Sequence, residues 1–181
     1  MSGSGPTVSV TKVSRVKDFQ GILKRFDKLQ VYVGVPQEKS SRHQVDHVAA
    51  PGGGKRPKLL SAMDTKVTNA ELLYIHTHGS PLRGIPARPV IEPAILDDKA
   101  NIAAELRTAG EGALAGDQQQ MLTGLRRAGM EGQNAARAWF TSPKNNWSPN
   151  KPATVAAKGS SMPLIDSTQL RKAIIWVLGE D

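Results

Sequence analysis

The chain has 181 residues, with 24 Lys and Arg against 16 Asp and Glu, and no cysteine. That length suits one domain with a sizeable core. The missing cysteine excludes a disulfide scaffold, a thiolate metal site and a cysteine nucleophile. The net charge of +8 is concentrated early: residues 1–60 hold 11 basic and 4 acidic side chains, the rest 13 and 12. A basic half points to a polyanion or an acidic protein surface as neighbour. Only Phe19, Phe26 and Tyr32 stand among those charges as stacking platforms for a single strand. No apolar run reaches the roughly 18 residues of a membrane span. Met1–Pro6 lacks the basic and apolar regions of a secretion signal, so a soluble protein made in a cytoplasm is expected.

Residues 1–6 read as a flexible tail and 7–181 as a single domain. Thr7–Val13 alternates as a half-buried strand does. Ser14 is a candidate N-cap for a helix over about 15–28, where Val16, Phe19, Ile22, Leu23 and Phe26 recur at helical spacing. Gln30–Val35 alternates again, with Val31, Val33 and Val35 inward. Residues 36–67 hold no sustained period, and contain Pro36, Pro51 and the run Gly52–Gly54. They read as an extended arm whose Lys39, Arg42, Lys55, Arg56 and Lys58 face a partner or DNA; attraction to DNA would be to phosphates and independent of sequence.

Thr68 and Glu71 form a capping box for a helix over about 69–77, stopped at Gly79. Pro89 suits the first position of the next helix. Asp117 and Gln120 make a second box, opening a helix over about 118–141 lined by Leu122, Leu125, Ala128, Ala136 and Trp139. Residues 142–163 read as loop. Asp166 and Gln169 give a third box before a short helix, and Ile174–Leu178 reads as a buried terminal strand. The expected fold is α+β: a small, mainly antiparallel sheet packed against helices, with a long helical segment at about 89–141 and an extended basic loop.

No chemistry assembles from these residues. Gly52-Gly53-Gly54-Lys55 is followed by Arg56, not by the Ser or Thr of a phosphate loop. His43 and His47 are four apart and could share a helix face as metal ligands do, but only Asp46 is a nearby acid. His76 and His78 end a helix, where the dipole favours them. Glu71 has a capping role and Glu92 falls in a first turn. Nucleophile, base and oxyanion site do not occur together. No enzyme activity, cofactor or metal is expected.

Three segments do form a pattern. The first is Ala70–His76 leading to Gly79; the second is Ile85-Pro86-Ala87-Arg88-Pro89-Val90-Ile91. The third runs from Trp147-Ser148-Pro149-Asn150 through Lys158-Gly159 to Pro163-Leu164-Ile165-Asp166-Ser167-Thr168-Gln169-Leu170. Together they resemble the neck and tail-completion proteins of tailed bacteriophages, also described as head–tail joining, virion morphogenesis or minor tail proteins. Those carry "Ile-Pro-Ala-Arg-Pro-Phe" and "Pro-Leu-Ile-Asp-Thr-Gly-x-Leu". Here Val90 stands for the Phe and Ser167-Thr168 for Thr-Gly, without loss of a needed chemical group.

The resemblance implies a ring-forming structural subunit of the virion, around the DNA channel at the head–tail neck and made in the host bacterial cytoplasm. Its partners would be copies of itself, with a hexamer expected, together with the adjacent connector and tail-tube proteins and, non-specifically, genomic DNA. Pro86, Arg88, Pro89, Asp166 and Leu170 would be scaffold residues. The competing reading is a basic nucleic-acid-binding or chaperone-like assembly factor absent from the finished particle.

Overall fold

The computed structural model describes residues 16–49, 55–64, 67–166 and 168–180. The expected tail at 1–6, strand at 7–13, cap at Ser14 and glycine run at 52–54 lie outside them. The fold is α+β, with seven α-helices and two separate two-stranded antiparallel sheets among the described residues.

α1 (Val16–Lys28) runs straight into β1 (Leu29–Gly34). Its apolar positions Ile22, Leu23 and Phe26 pack on a cluster of Leu29, Ala109, Ala113, Met121 and Leu125. β1 pairs with β4 (Ile175–Glu180), from Leu29 opposite Glu180 to Gly34 opposite Ile175. The expected terminal strand therefore exists, but it is not buried throughout. Ile174 is fully buried, whereas Val177 is 39 % exposed, because the ribbon lays only one face on the helices.

The segment expected to be an aperiodic loop is built differently. A 3-10 turn at Gln37–Lys39 leads to a hairpin of β2 (His43–Ala49) and β3 (Lys55–Asp64). The register is irregular between His43 and Val45. Pro57 is tolerated because both strands of a two-stranded ribbon are edges. The root of this arm is pinned: buried Asn69 donates from its side-chain amide to the carbonyl of Ser41 at 2.9 Å, and its backbone N–H donates to that of Ser40 at 2.7 Å.

α2 (Asn69–His78) starts at the expected capping box, with Thr68 and Glu71 exchanging bonds in both directions. α3 (Ile91–Asp97) and α4 (Lys99–Ala115) share what sequence read as one helix start, with a break at Asp98. Pro89 lies just outside α3, whose N-cap is Val90, so it stiffens the approach and does not occupy the first helical position. α5 (Gln118–Trp139) is capped by Asp117, which accepts from the Gln120 N–H at 2.9 Å. Its Met121, Leu125, Ala128, Ala136 and Trp139 recur at helical spacing, so one helix serves both core clusters. Gly112 and Gly124 let α4 and α5 touch backbone to backbone: a Cβ on Gly124 would meet Ala109 N at 2.5 Å.

The expected loop at 142–163 contains α6 (Pro152–Lys158). α7 (Gln169–Ala173) follows, but its N-cap is Thr168 at φ +62°, without a side-chain cap bond. Asp166 is thus not that cap. The second cluster, Val90, Ala94, Ala136, Trp139, Phe140, Leu170 and Ile174, joins α3, α5, α7 and the start of β4. Arg137 ties α5 to the chain before β4, donating from Nε to the Ile174 carbonyl at 2.9 Å.

Candidate functional site

The resemblance-bearing segments, far apart in sequence, meet at one place. Pro86 and Pro89 hold the chain extended after α2, so that Arg88 points inward and is only 6 % exposed. Its guanidinium donates to the Ser148 carbonyl from Nε at 3.3 Å and from Nη2 at 2.8 Å, and to the Pro149 carbonyl at 3.3 Å. The Trp147 indole returns the link, donating from Nε1 to the Pro89 carbonyl at 3.2 Å. Trp147 also meets Phe140 edge to face, with ring centroids 6.0 Å apart. Such a buried guanidinium is accommodated because its planar N–H donors are satisfied by main-chain carbonyls.

Beside this clamp lies a cleft of about 760 Å³, between the end of α2, the turn at 80–85 and the 148–154 segment. The turn is rigid. Ser80 and Ile85 bond each other's backbone, and Gly84 sits in the left-handed region at φ +59°. Gly79 cannot carry a side chain, since a Cβ would meet Ala87 N at 2.8 Å. Leu82, at the turn's apex, is fully exposed. Lys151 reaches over the turn, its Nζ 2.9 Å from where a Gly84 Cβ would stand.

His76 forms one wall. Burial, together with the charges of Arg88, Arg42 and Lys158, pushes its pKa down to about 4. It is neutral at pH 7, so the dipole account given for a charged histidine at this helix end does not hold. Its Nδ1 is buried with no hydrogen-bond partner among the described residues, as is Nε of Arg42. His78 instead is exposed, with Nδ1 2.9 Å from the Tyr74 carbonyl and its ring stacked 4.2 Å from that of Tyr74. Lys158 is also held below its usual pKa by burial, a shift opposed by Asp166, and donates to the Met162 carbonyl at 2.6 Å.

The predicted partner-facing residues separate. Lys39 is exposed at the root of the arm, whereas Arg42 is half-buried near His76 and does not project outward. Lys55, Arg56 and Lys58 sit on β3, in register with Ala49, Val48 and Asp46 of β2. His43 and His47 lie on β2, where four residues span about 13 Å. They therefore do not share a helix face, and no group of three metal-ligating side chains occurs among the described residues. Of the scaffold residues, Pro86 lines the cleft, Arg88 and Pro89 form the clamp, Asp166 is near Lys158 and Leu170 is core. Trp147 was visible in the third motif, but its partner was not.

One departure from the motifs has a backbone consequence. Thr168, which stands where the related pattern has Gly, adopts φ +62°, a conformation that a β-branched residue adopts only with strain. No helix among the described residues is long and apolar enough to cross a membrane. Compared with protein-family models, curated proteins and solved structures, the chain matches none.

Proposed function

We propose that this chain is a structural, non-catalytic subunit of a tailed-phage virion, forming a ring of six at the head–tail neck around the DNA channel. The observation that carries the reading is the clamp. Two of the three segments that resemble neck and tail-completion proteins are joined by Arg88 and Trp147, and the second and third also converge on one core cluster through Val90 and Leu170. Segments that build one scaffold have reason to meet in this way. The positive φ at Thr168, where the pattern has Gly, agrees with it. In the ring, the β2–β3 ribbon reaches a neighbouring copy, the connector, the tail tube or the DNA.

The basic residues of that ribbon are what favours the second reading, an assembly factor or nucleic-acid-binding protein left out of the particle. Disruption of the gene tests the proposal. It predicts filled heads and finished tails that fail to join, and mass spectrometry of wild-type particles that finds the chain in several copies. Normal particles without the gene would refute it; particles lacking the chain would favour the second reading.

A further inference from the structure

We infer that the cleft beside the clamp is a docking site for an extended peptide segment of another protein, one carrying a carboxylate between apolar residues. The site stands on its own geometry, apart from the neck reading.

Charge is the first argument. Arg88 and Lys151 are the cations that line the cleft, beside a neutral His76, and no carboxylate lines it among the described residues. Arg42 and Lys158 lie behind it, with Asp166 beside Lys158 offsetting part of that charge. Among the described residues the Lys151 ammonium has no acidic partner, and Gly84 leaves it room to lie over the turn. A carboxylate entering here meets an exposed cation without an acidic partner among the described residues, and gains a charge-assisted bond.

The second argument is the rim. Leu82 is fully exposed on a turn that its own backbone bonds make stiff, so a contact there orders little that is not already ordered. Tyr74 is 66 % exposed beside His78, which lines the cleft, and Met162 is 51 % exposed on the segment held by Asn150 and Lys158, of which Asn150 lines it. Large apolar side chains around a concave, cationic centre are the composition of a protein-binding surface.

These features also select the occupant. A small ligand confined to the cleft would leave Leu82 and Tyr74 uncovered, whereas an extended segment crosses the cleft and reaches the rim. Nucleic acid is disfavoured because Arg88 is held by carbonyls, so Lys151 is the one exposed cation among the described lining residues, enough for one carboxylate and not for a run of phosphates, and Pro81, Pro86 and Pro149 make the walls apolar.

The test is a selection from a display library of random twelve-residue peptides on the full-length protein, followed by affinity measurement of the enriched peptides. A 20-base-pair DNA duplex is measured in parallel. Lys151→Glu and Leu82→Ser are the site variants, both at exposed positions, with Lys99→Glu on α4 as the remote control; thermal melts verify that all three fold. The inference predicts peptides enriched in one Asp or Glu flanked by apolar residues. Each site variant should weaken them at least tenfold, and the control less than twofold. Failure to enrich such peptides, or equal binding by Lys151→Glu, overturns it. A duplex that binds more tightly than every peptide and is lost in Lys151→Glu also overturns it, and makes the cleft a phosphate site.

Discussion

Replacing Arg88 by Ala removes the donors that tether residues 147–149 to the chain before α3. Bonds from a charged donor contribute about 1.5–3 kcal/mol each, and a buried carbonyl left without a donor costs about 1–3 kcal/mol. Here two carbonyls lose their donor together, those of Ser148 and Pro149. Solvent can reach Ser148 and Pro149 once the segment lifts, since both are already exposed, so the lower part of the combined range applies. The expected loss is about 3–4 kcal/mol, a large share of the roughly 5–15 kcal/mol that stabilises a typical domain. Arg88→Lys keeps the charge but not the fork, and should lose about half as much. Urea unfolding followed by tryptophan fluorescence measures both, and freed Trp147 should shift the native emission to the red. Because Trp147 bridges the same two segments, Arg88→Ala and Trp147→Phe should combine to less than the sum of their separate effects. A loss below about 0.5 kcal/mol for Arg88→Ala, or strict additivity of the pair, would refute the clamp.

Gly124→Ala should destabilise by about 1–3 kcal/mol, since its Cβ would meet α4 backbone; Gly110→Ala, with nothing within 4 Å, should stabilise by about 0.5–1 kcal/mol. Equal thermal shifts for the two would contradict the close approach of α4 and α5. Thr168→Gly should gain roughly 0.5–1 kcal/mol, the relief of a left-handed Thr reduced by glycine entropy; a destabilised variant in denaturant titration would count against that strain. Native His76 resists a proton down to about pH 4, while the unfolded chain accepts it near 6.5, so its contribution is complete above pH 6.5 and is lost as pH falls towards 4. His76→Gln should flatten stability against pH across that window, and an NMR titration of His76 near 6.5 would show the reasoning wrong.

Periodicity made α1, β1 and α5 legible, because each buries a face and must repeat its apolar residues at the element's own period, whereas α2 was legible from its capping box and Gly79. The caps at Thr68 and Asp117 were legible for a similar reason, since the orphan N–H groups of a helix start call for an oxygen at a fixed offset. The β2–β3 ribbon was not. Its strands pair with each other and not with β1 or β4, so no two-residue apolar repeat marked them, and Pro57 argued against a strand. α6 was hidden among Pro, Lys and Ala with no buried residue to mark it.

The site was half legible. Pro86, Arg88 and Pro89 stood out as a stiff segment, but the acceptors of Arg88 are main-chain carbonyls about sixty positions away, and any residue type supplies a carbonyl. The neutral state of His76 likewise depends first on its burial and then on Arg88, Arg42 and Lys158 arriving from three separate segments. Leu82 carried no signal either, because its exposure follows from the Ser80–Ile85 bridge and the left-handed Gly84.

The central claim is tested most directly by a three-dimensional reconstruction of the neck in purified particles of the tailed phage that, on the proposed reading, encodes this chain. The proposal predicts six copies in a closed ring at the head–tail junction, with the α4–α5 hairpin traceable in each and the β2–β3 ribbon against a neighbour or the channel. Particles whose neck is fully accounted for by other proteins, or that hold a single copy of this chain, would contradict it.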